Sequence, residues 1–526
     1  MNSMIQLPLY RLAGAVALLT TALLISACGG GGGGKKPSVG TSSLVGNSSV
    51  NNPSSKNSVS SRSNSSLGGS NGSTGSSTSS ASSLLDKTIV SREDEGGNDA
   101  PIVAIDAAGN AIAVWIVEDP STSPTSYELL ARRFVPDSGW QEIQVVAAKT
   151  NTHYIQTPAL TIDKTTGKAM VIWETHDRAS TTTSDTVARA YDPATGWGIA
   201  VAIDDTMPGL NSSPVADTDS NGNVMVVWNR YESLTRKLYA ALYTSNGVWG
   251  SAIRIEDNNE IGGGGSGAKV AFLANGDALV VWNSSRPGTT NNIWGNKYTK
   301  GTGWGTNAIV EASINTNADL RFVDSPSIAA DAKGNAVLTY SRQQFIPATS
   351  NYQLNVVAKR YMSGAWSSDV TAIGEPLTCT NCPRTPDSRV KVTAQGLAVA
   401  VWVLDNSAGV DTVWASRTRS DGTWESKTFS ADADQFIDAQ GWPDAGIDDA
   451  GNVSIVWSLT GSGETNIYSA RCKAGTGWGS SELFESDKGT AQLARIAMNG
   501  GGNAMTVWSF FGSTLGTVVA SKYYKP

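Results

Sequence analysis

The densest group of polar side chains in the sequence directly follows an apolar run that ends at Trp173. Its members are Glu174, His176, Asp177 and Arg178. Carboxylate, imidazole and guanidinium groups so close together can hydrogen-bond or pair with a polar ligand. The same composition is typical of a solvated loop, because charged side chains rarely leave the surface. We therefore treat these residues as a candidate ligand-binding site, with a solvated loop as the alternative.

Trp442 is a second candidate because it directly precedes Pro443, where similar Xaa-Pro pairs elsewhere in the chain begin with small residues. Those small residues are Ala100, Thr157 and Ser325. An exposed indole at this position would offer a flat aromatic surface suited to stacking on a sugar ring. Alternatively, the indole packs on a neighbouring part of the fold and contacts no ligand.

Asp217, Asp219 and Asn221 alternate in the manner of the first ligands of a calcium-binding loop. The twelfth position of such a loop, where an acidic residue is expected, is Trp228. A plain hairpin turn therefore competes with a Ca²⁺ site. The chain has two histidines, too few for a zinc centre without carboxylate ligands. We expect no cofactor, with Ca²⁺ at this loop as the alternative.

The chain has four cysteines, of which Cys379 and Cys382 are separated by only two residues. Outside the cytoplasm, such a pair favours a local disulfide that staples its loop. A redox role would need a βαβ context that the surrounding sequence lacks. Cys472 occupies a position where related segments carry an aromatic residue, so we expect it to be a buried free thiol.

These residues lie in a chain built from eight copies of one unit. Each copy contains an apolar run that ends in an aromatic residue, at a mean spacing of about 56 residues. The aligned aromatic residues are Trp115, Trp173, Trp228, Trp282, Tyr340, Trp402, Trp457 and Trp508. A later position, usually preceded by Gly, adds Trp140, Trp197, Trp249, Trp304, Trp366, Trp424 and Trp478. Tryptophan is therefore mainly an architectural residue here.

Each unit predicts four short strands. The second strand is apolar throughout rather than alternating, as at residues 224–228, which indicates burial on both faces. Four-stranded units that cannot bury their faces alone close radially into a ring. The eighth unit lacks a fourth strand, and residues 87–92 form a spare strand before the first unit. We predict an all-β, eight-bladed β-propeller over residues 87–526, with its ring closed by the strand at 87–92.

The connections of such a ring sort onto two faces. Turns between first and second strands, and between third and fourth strands, are short and lie on what we name the turn face. Connections between second and third strands, and between units, vary in length and share the opposite side, the variable-loop face. Residues 174–178 and Trp442 belong to the variable-loop face, where we expect a ligand.

The N-terminal segment predicts export. Residues 12–27 form an apolar run that is shorter than the ~20 residues a membrane-spanning helix needs and is typical of a secretory signal. The run ends in Ile-Ser-Ala followed by Cys28, which resembles the lipobox of bacterial lipoproteins. The resemblance implies a signal peptide over residues 1–27 and a lipid-modified Cys28. With Gly29 rather than Asp next in the chain, it also implies an outer-membrane location.

Residues 28–86 begin with Cys28 and continue as a segment rich in Gly and Ser. Such a composition cannot bury enough apolar surface to fold, so we predict a flexible tether. The chain is therefore divided into a signal peptide, a lipidated tether and a folded ring.

The layout of the units resembles the Asp-box propellers of the sialidase-like superfamily. The nearest match to the Asp-box turn is Ser-Asp-Gly-Thr-Trp at residues 420–424, one residue shorter than the superfamily pattern. For sialidases, the resemblance would imply an arginine triad, a tyrosine nucleophile with a glutamate partner and an acid/base aspartate. The segment that corresponds to the first arginine reads Asp99-Ala100-Pro101 and contains no arginine. We therefore identify no catalytic set and expect a binding protein rather than an enzyme.

The chain carries 39 basic and 46 acidic residues, a formal net charge of −7, which disfavours nucleic-acid binding. We predict a monomeric, surface-tethered, non-catalytic propeller, attached to a membrane by its lipid, that binds a polysaccharide or an envelope protein through the variable-loop face. One alternative is a sialidase-like glycoside hydrolase. The other is an outer-membrane assembly scaffold, by analogy with the eight-bladed propeller lipoprotein of barrel assembly.

Overall fold

The computed structural model describes residues 87–92, 97–180, 182–204, 209–232, 235–256, 266–284, 291–315, 320–379, 386–405, 411–425, 429–431, 442–461, 463–485, 487, 489–512 and 517–526. The predicted signal peptide (1–27), Cys28 and the tether (28–86) lie outside these residues. Within the described ranges, every secondary-structure element is a β-strand, so the all-β prediction is confirmed. No helix there is long and apolar enough to span a bilayer.

The strands fall into successive sets, numbered in chain order. Strand β1 (Thr88–Ile89) precedes set 1, which contains β2 (Gly97–Ile105), β3 (Ala111–Asp119), β4 (Ser126–Val135) and β5 (Gly139–Thr150). Set 2 contains β6 (His153–Ile162), β7 (Ala169–Asp177), β8 (Ser184–Asp192) and β9 (Gly196–Ala202). Set 3 contains β10 (Leu210–Thr218), β11 (Val224–Glu232), β12 (Thr235–Tyr243) and β13 (Ile253–Arg254). Set 4 contains β14 (Ser266–Phe272), β15 (Ala278–Ser284), β16 (Asn292–Thr299), β17 (Gly303–Trp304) and β18 (Ala308–Glu311).

The later sets follow the same plan with small additions. Set 5 contains β19 (Ile314–Asn315), β20 (Leu320–Ala330), β21 (Ala336–Ile346), β22 (Asn351–Met362), β23 (Ala365–Trp366), β24 (Thr371–Ala372) and β25 (Leu377–Cys379). Set 6 contains β26 (Ser388–Val392), β27 (Ala398–Asp405), β28 (Asp411–Arg417) and β29 (Phe429–Ala431). Set 7 contains β30 (Asp444–Ile447), β31 (Val453–Gly461), β32 (Glu464–Lys473), β33 (Gly477–Trp478) and β34 (Glu482–Glu485). Set 8 contains β35 (Gly489–Met498), β36 (Ala504–Gly512) and β37 (Thr517–Tyr524) and is joined to set 7 by the single parallel pair Thr465–Thr490.

Within each set the strands pair antiparallel and the main path follows chain order, with β18, β24, β25 and β34 added beside the third strand; this is the sheet pattern of a β-propeller. We name β2, β6, β10, β14, β20, β26, β30 and β35 the inner strands. Each inner strand contacts the next one along the chain, from β2 through to β35, and β35 in turn contacts β2. β30 and β35 approach closely at Gly446, where an added Cβ would lie 2.4 Å from the Cβ of Met498. Only glycine fits at that position.

The second strands of the sets form the core. All seven aligned tryptophans are at most 2% exposed, and the aligned Tyr340 is fully buried. The two sides of one strand pack into different clusters: in β3, Trp115 packs with Val507 of set 8, whereas Val114 packs with Val171 of set 2. The predicted burial of these apolar runs on both faces is therefore confirmed.

The N-terminal strand pairs with the C-terminal one. Thr88 lies opposite Ser521 and Ile89 opposite Ala520 in the antiparallel pair of β1 with β37. Val90 is fully buried, and its backbone N–H donates to the carbonyl oxygen of Val519 at 2.7 Å. Set 8 thus obtains its outer strand from the other end of the described chain.

The turn face is stabilised by a repeated aspartate. In the turn after β2, Asp106 accepts a hydrogen bond from the backbone of Asn110 at 2.8 Å and another from its side-chain amide at 2.7 Å. Gly109 supplies the left-handed conformation of this turn, with φ of 87°. Asp331 and Asp448 make the same pair of bonds four residues on in their own turns. These aspartate hydrogen bonds therefore explain the short turns between the first and second strands.

Candidate functional site

Glu174, the first residue of the predicted polar group, fastens two sets together. Its side chain is buried and accepts hydrogen bonds from the Thr157 hydroxyl and from the backbone N–H of Ser213. His176 Nε2 lies 3.0 Å from the other carboxylate oxygen. Because Ser213 belongs to β10 and Glu174 to β7, this carboxylate links the inner strand of set 3 to set 2. Both carboxylate oxygens are engaged within the protein.

Thr157 and Ser213 mark a bulge that recurs on the inner strands. Their φ angles of 43° and 54° lie in the left-handed region, and Ala100 and Ser325 repeat this at φ of 49° and 53°. The register with the second strand shifts at each of these positions. A non-glycine residue keeps this conformation only where surrounding contacts hold it. At Thr157 and Ser213, hydrogen bonds to Glu174 provide such contacts.

Arg178 lies over two tyrosine rings on the variable-loop face. Its guanidinium carbon is 4.0 Å from the ring centroid of Tyr154 and 5.5 Å from that of Tyr127, and the two rings are 5.6 Å apart. We name these three residues the Tyr–Arg cluster. The Tyr127 hydroxyl donates to Glu118 at 3.0 Å, and burial together with this carboxylate raises the pKa of Tyr127 to about 12.

The structure therefore divides the predicted group. Glu174 and His176 point toward the next set, Asp177 accepts from the backbone N–H of Ala179 at 2.8 Å in a turn, and Arg178 joins the tyrosines. Sequence reasoning missed Tyr154, which is 36% exposed and lies opposite His176 in the β6–β7 pair. The predicted strand register could have found it, because cross-strand neighbours lie close together.

Trp442 packs on the core. It is half-buried against the cluster that contains Ile447 and Trp457. Asp444 pairs with Val456, directly before the aligned Trp457, so Trp442 is at the register position of Ala100 in set 1. The alternative given above, an indole packed on neighbouring structure, describes this contact.

The cysteines and the calcium-like loop also have structural surroundings. Cys379 is buried and disulfide-bonded, whereas Cys382 lies outside the described residues, so their pairing stays a prediction. Cys472 is a buried free thiol, as expected, and burial raises its pKa to about 11. Asp219 accepts from the backbone N–H groups of Asn221 and Asn223 at 2.9 and 2.8 Å, as in the other turns. Among the described residues, no group of three His, Cys, Asp or Glu side chains could hold a metal ion.

One register position on the inner strands varies sharply. In each set, one inner-strand residue pairs with the residue directly before the aligned aromatic. In chain order these inner-strand residues are Ile102, Ala159, Val215, Lys269, Ser327, Arg389, Asp444 and Arg495. We name this the inner position. It is apolar in sets 1 to 3, and four of the other five sets carry a charge.

The charges at the inner position influence one another electrostatically. Burial lowers the pKa of Lys269, and the positive charge of Arg389 lowers it further, while Asp387 opposes the shift. Burial also lowers the pKa of Arg495 to about 9, again with Arg389 adding to the effect and Asp444 opposing it. Arg389 belongs to set 6, whereas Lys269 and Arg495 belong to sets 4 and 8. Side chains from sets that are not adjacent therefore lie within electrostatic range of one another.

These cations are weakly compensated. Arg389 Nη1 lies 4.0 Å from Asp444 Oδ1, beyond hydrogen-bond distance, and Asp444 Oδ2 accepts from the backbone N–H of Ile496 at 3.1 Å. Arg495 donates to the carbonyl oxygen of Ala494 at 2.8 Å, and Lys269 Nζ lies 3.4 Å from a carbonyl oxygen. In the part of the chain that the structure describes, neither Lys269 nor Arg495 forms an ion pair. The sequence analysis missed them because it did not compare the residues at the inner position of the successive sets.

Two carboxylates near the inner position are also perturbed. Burial raises the pKa of Asp324, and the nearby charge of Asp387 raises it further. The Asp324 carboxylate accepts from the side chain of Asn283 and from the backbone N–H of Ser325 at 2.7 Å. Burial likewise raises the pKa of Asp217, which accepts from the backbone N–H of Phe272 at 2.8 Å. Perturbed titratable groups gathered in one region are typical of functional sites.

Comparisons with known proteins give weak likenesses. No family model and no curated protein matches the chain. A polysaccharide lyase described as an ulvan lyase aligns with a TM-score of 0.41 and 11% identity, covering 70% of this chain and 93% of its own. A Hadza microbial sialidase gives 0.34 and 12%, covering 75% and 73%. An α-L-arabinofuranosidase of Fusarium graminearum gives 0.37 and 12%, covering 64% and 98%. Because these TM-scores are below 0.5, none of the three structures assigns a role to any residue of this chain.

Proposed function

We propose that residues 87–526 form a closed, eight-bladed β-propeller that binds a glycan on its variable-loop face without catalysing a reaction. The contacts of the inner strands in chain order, with β35 returning to β2, support the ring. The pairing of β1 with β37 supports its closure by residues 87–92. The interaction of Lys269 with Arg389, from sets 4 and 6, supports a common axis between them.

The observation that carries glycan binding is the Tyr–Arg cluster. Tyr154 is partly exposed, and Arg178 holds its ring beside that of Tyr127. Sugar recognition uses an aromatic face for the apolar side of a ring and nearby polar groups for its hydroxyls. The guanidinium of Arg178 donates to the carbonyl oxygen of Thr125 and lies over the Tyr154 ring, so its orientation is held by the protein. The cluster thus combines both requirements on one face.

The test is a binding panel on the full chain in detergent. We expect Tyr154→Ala and Arg178→Ala to weaken binding of whichever polysaccharide the wild-type protein retains by about tenfold, as expected when a stacking and a charge-assisted contact are lost. Met362→Ala is the matched control, because Met362 is exposed on the turn face. Retention of no polysaccharide, or equal loss in the control, would contradict the proposal.

A glycoside-cleaving enzyme is the second candidate, and the Asp324–Asp387 pair is the observation that favours it. Burial, together with the nearby charge of Asp387, raises the pKa of Asp324, and a carboxyl group with a raised pKa can serve as the acid in cleavage of a glycosidic bond. Release of reducing ends from a bound polysaccharide, abolished by Asp324→Asn and unchanged by Met362→Ala, would favour this candidate over the binding protein.

The propeller is further proposed to be held at the outer membrane by lipid on Cys28, through the tether at residues 28–86. The lipobox-like sequence before Cys28 supports this attachment. Labelling with a fatty-acid analogue should mark the wild-type chain and not Cys28→Ala. A Cys28→Ala chain that stays in the membrane fraction and takes up label would contradict it.

A further inference from the structure

The inner position separates the ring into two arcs. Ile102, Ala159 and Val215 of sets 1 to 3 pack into the core clusters between sets. The other arc carries Lys269, Arg389 and Arg495 at the same register position of sets 4, 6 and 8. Since the register is shared, the three cations lie at one level along the inner strands.

The carboxylates that act on Lys269 and Arg495 make no short ion-pair contact with them among the described residues. Asp444, between Arg389 and Arg495 in chain order, is 4.0 Å from Arg389 and is already bonded to a backbone N–H of β35. Asp387 is exposed and acts on Lys269 only at a distance. In a stable buried ion pair, short direct contacts between the two charged groups offset the free-energy cost of removing them from water. Here Lys269 and Arg495 have none among the described residues.

The side chains at the inner position of sets 4, 6 and 8 are only partly enclosed by protein. Lys269, Arg389 and Arg495 remain half-buried, so part of each side chain is open to solvent. Guanidinium groups bind carboxylate and sulfate oxygens through two parallel hydrogen bonds, and an ammonium group adds a point charge. An oxyanion placed among them would remove the mutual repulsion of the cations.

We propose that Lys269, Arg389 and Arg495 bind the acidic group, a carboxylate or a sulfate ester, of an anionic saccharide. The inference rests on the proposed glycan binding and specifies the chemistry of its ligand. The Tyr–Arg cluster of sets 1 and 2 would contact neutral parts of the saccharide, and the charged arc of sets 4 to 8 would select for its negative charge.

The experiment is calorimetric titration of the full chain in detergent with four probes. They are a uronate oligosaccharide, a sulfate-ester oligosaccharide, a neutral oligosaccharide of matched length and inorganic sulfate. We expect at least one acidic oligosaccharide to bind about tenfold or more tightly than the neutral one. The stronger of the two acidic probes identifies the acidic group. Inorganic sulfate should compete with it.

Lys269→Met and Arg495→Met should each lose this preference, while Lys473→Met, an exposed lysine at the turn face, should keep it. Because Lys269 and Arg495 are half-buried and form no ion pair among the described residues, we expect the Met variants to melt at or above the wild-type temperature, and folding is checked in the same samples. Arg495→Lys retains the charge and should recover part of the preference. A loss of folding in the Met variants would leave the salt dependence of wild-type binding as the test, with weaker binding expected at high salt.

The outcomes separate the two proposals. Equal binding of acidic and neutral saccharides, unaffected by Lys269→Met, would overturn the anionic site and leave glycan binding intact. Absence of all saccharide binding, with sulfate still bound and lost in Arg495→Met, would overturn glycan binding and retain an anion site. Absence of binding by all four probes would overturn both.

Discussion

Two positions that lie one register step apart in every set behave in opposite ways. The aligned aromatic of the second strand is tryptophan in seven sets and tyrosine in the other, and it is buried in all of them. The inner position, opposite the residue directly before it, changes from apolar to basic to acidic around the chain. The aligned aromatic packs between sets throughout, whereas the inner position packs into core clusters in sets 1 to 3 and carries half-buried cations in sets 4, 6 and 8.

The difference teaches which residues specify the fold and which are free to specify a ligand. A side chain that must fill the gap between two packed sets tolerates little change, because interiors are close-packed. The half-buried side chains of Lys269, Arg389 and Arg495 are partly open to solvent, so they can change without leaving a closed cavity. Departures from the repeat, such as Lys269 between Val215 and Ser327, are therefore the places to look for binding.

The largest expected effect on stability comes from replacing one of the aligned tryptophans of the second strands. Trp228→Ala should lower the free energy of unfolding by about 3–5 kcal/mol, because it removes a fully buried indole between sets 2 and 3. Its indole N–H has no hydrogen-bond partner among the described residues, so the loss is one of packing. Trp249→Ala, at the half-buried Gly-Trp position, is the control and should cost less. Denaturant unfolding compares them, and equal losses would contradict the comparison.

A buried carboxylate outside the repeat gives the next effect. Asp204 is 3% exposed and accepts from the Thr186 N–H at 3.0 Å and from Asn211, and burial raises its pKa to about 6. Its contribution to stability is therefore present below its ordinary pKa of 3.8 and lost as the pH rises through about 6. The loss is at most about 3 kcal/mol.

Asp204→Asn should remove this dependence, so the difference in melting temperature between wild type and variant should change between pH 4 and 6.5 and stay constant above. Asp421→Asn, at an exposed turn, is the control. A difference that does not vary with pH would show that Asp204 titrates normally.

A smaller effect tests the set whose outer strand comes from the N-terminal side. Val90→Ala should cost about 2 kcal/mol, because Val90 is fully buried beside Trp115 and Val519. Thr88→Ala, an exposed neighbour in the same strand, should cost much less. Thermal melting measures both. A Val90→Ala protein that melts like Thr88→Ala would show that β1 does not dock on β37.

Much of this architecture follows from the sequence because its cause is local. The apolar runs before Trp173 and Trp228 predicted strands buried on both faces, and Cys472 in an aromatic position predicted a buried thiol. The pairing of Thr88 and Ile89 with β37 agrees with a prediction made by counting strands. Each of these inferences needed only the period of the pattern and the missing strand.

The candidate site was harder to predict because it depends on contacts between sets. The group at residues 174–178 looked like one polar cluster, yet Glu174 bonds to Ser213 of the next set and only Arg178 reaches the tyrosines. Lys269 and Arg495 are more than 200 residues apart in the chain. Their electrostatic interaction with Arg389 depends on the arrangement of the inner strands, which no local pattern encodes.

The central claim is that the aligned aromatics specify the fold whereas charged residues at the inner position bind the ligand. Its most direct test is the melting temperature of Lys269→Met, with and without a saturating acidic oligosaccharide. We predict that the free variant melts at or above the wild-type temperature and that the ligand no longer raises it, whereas the wild-type protein is stabilised by the same ligand. A variant that melts well below wild type when free, and keeps the full ligand-induced increase, would contradict the account.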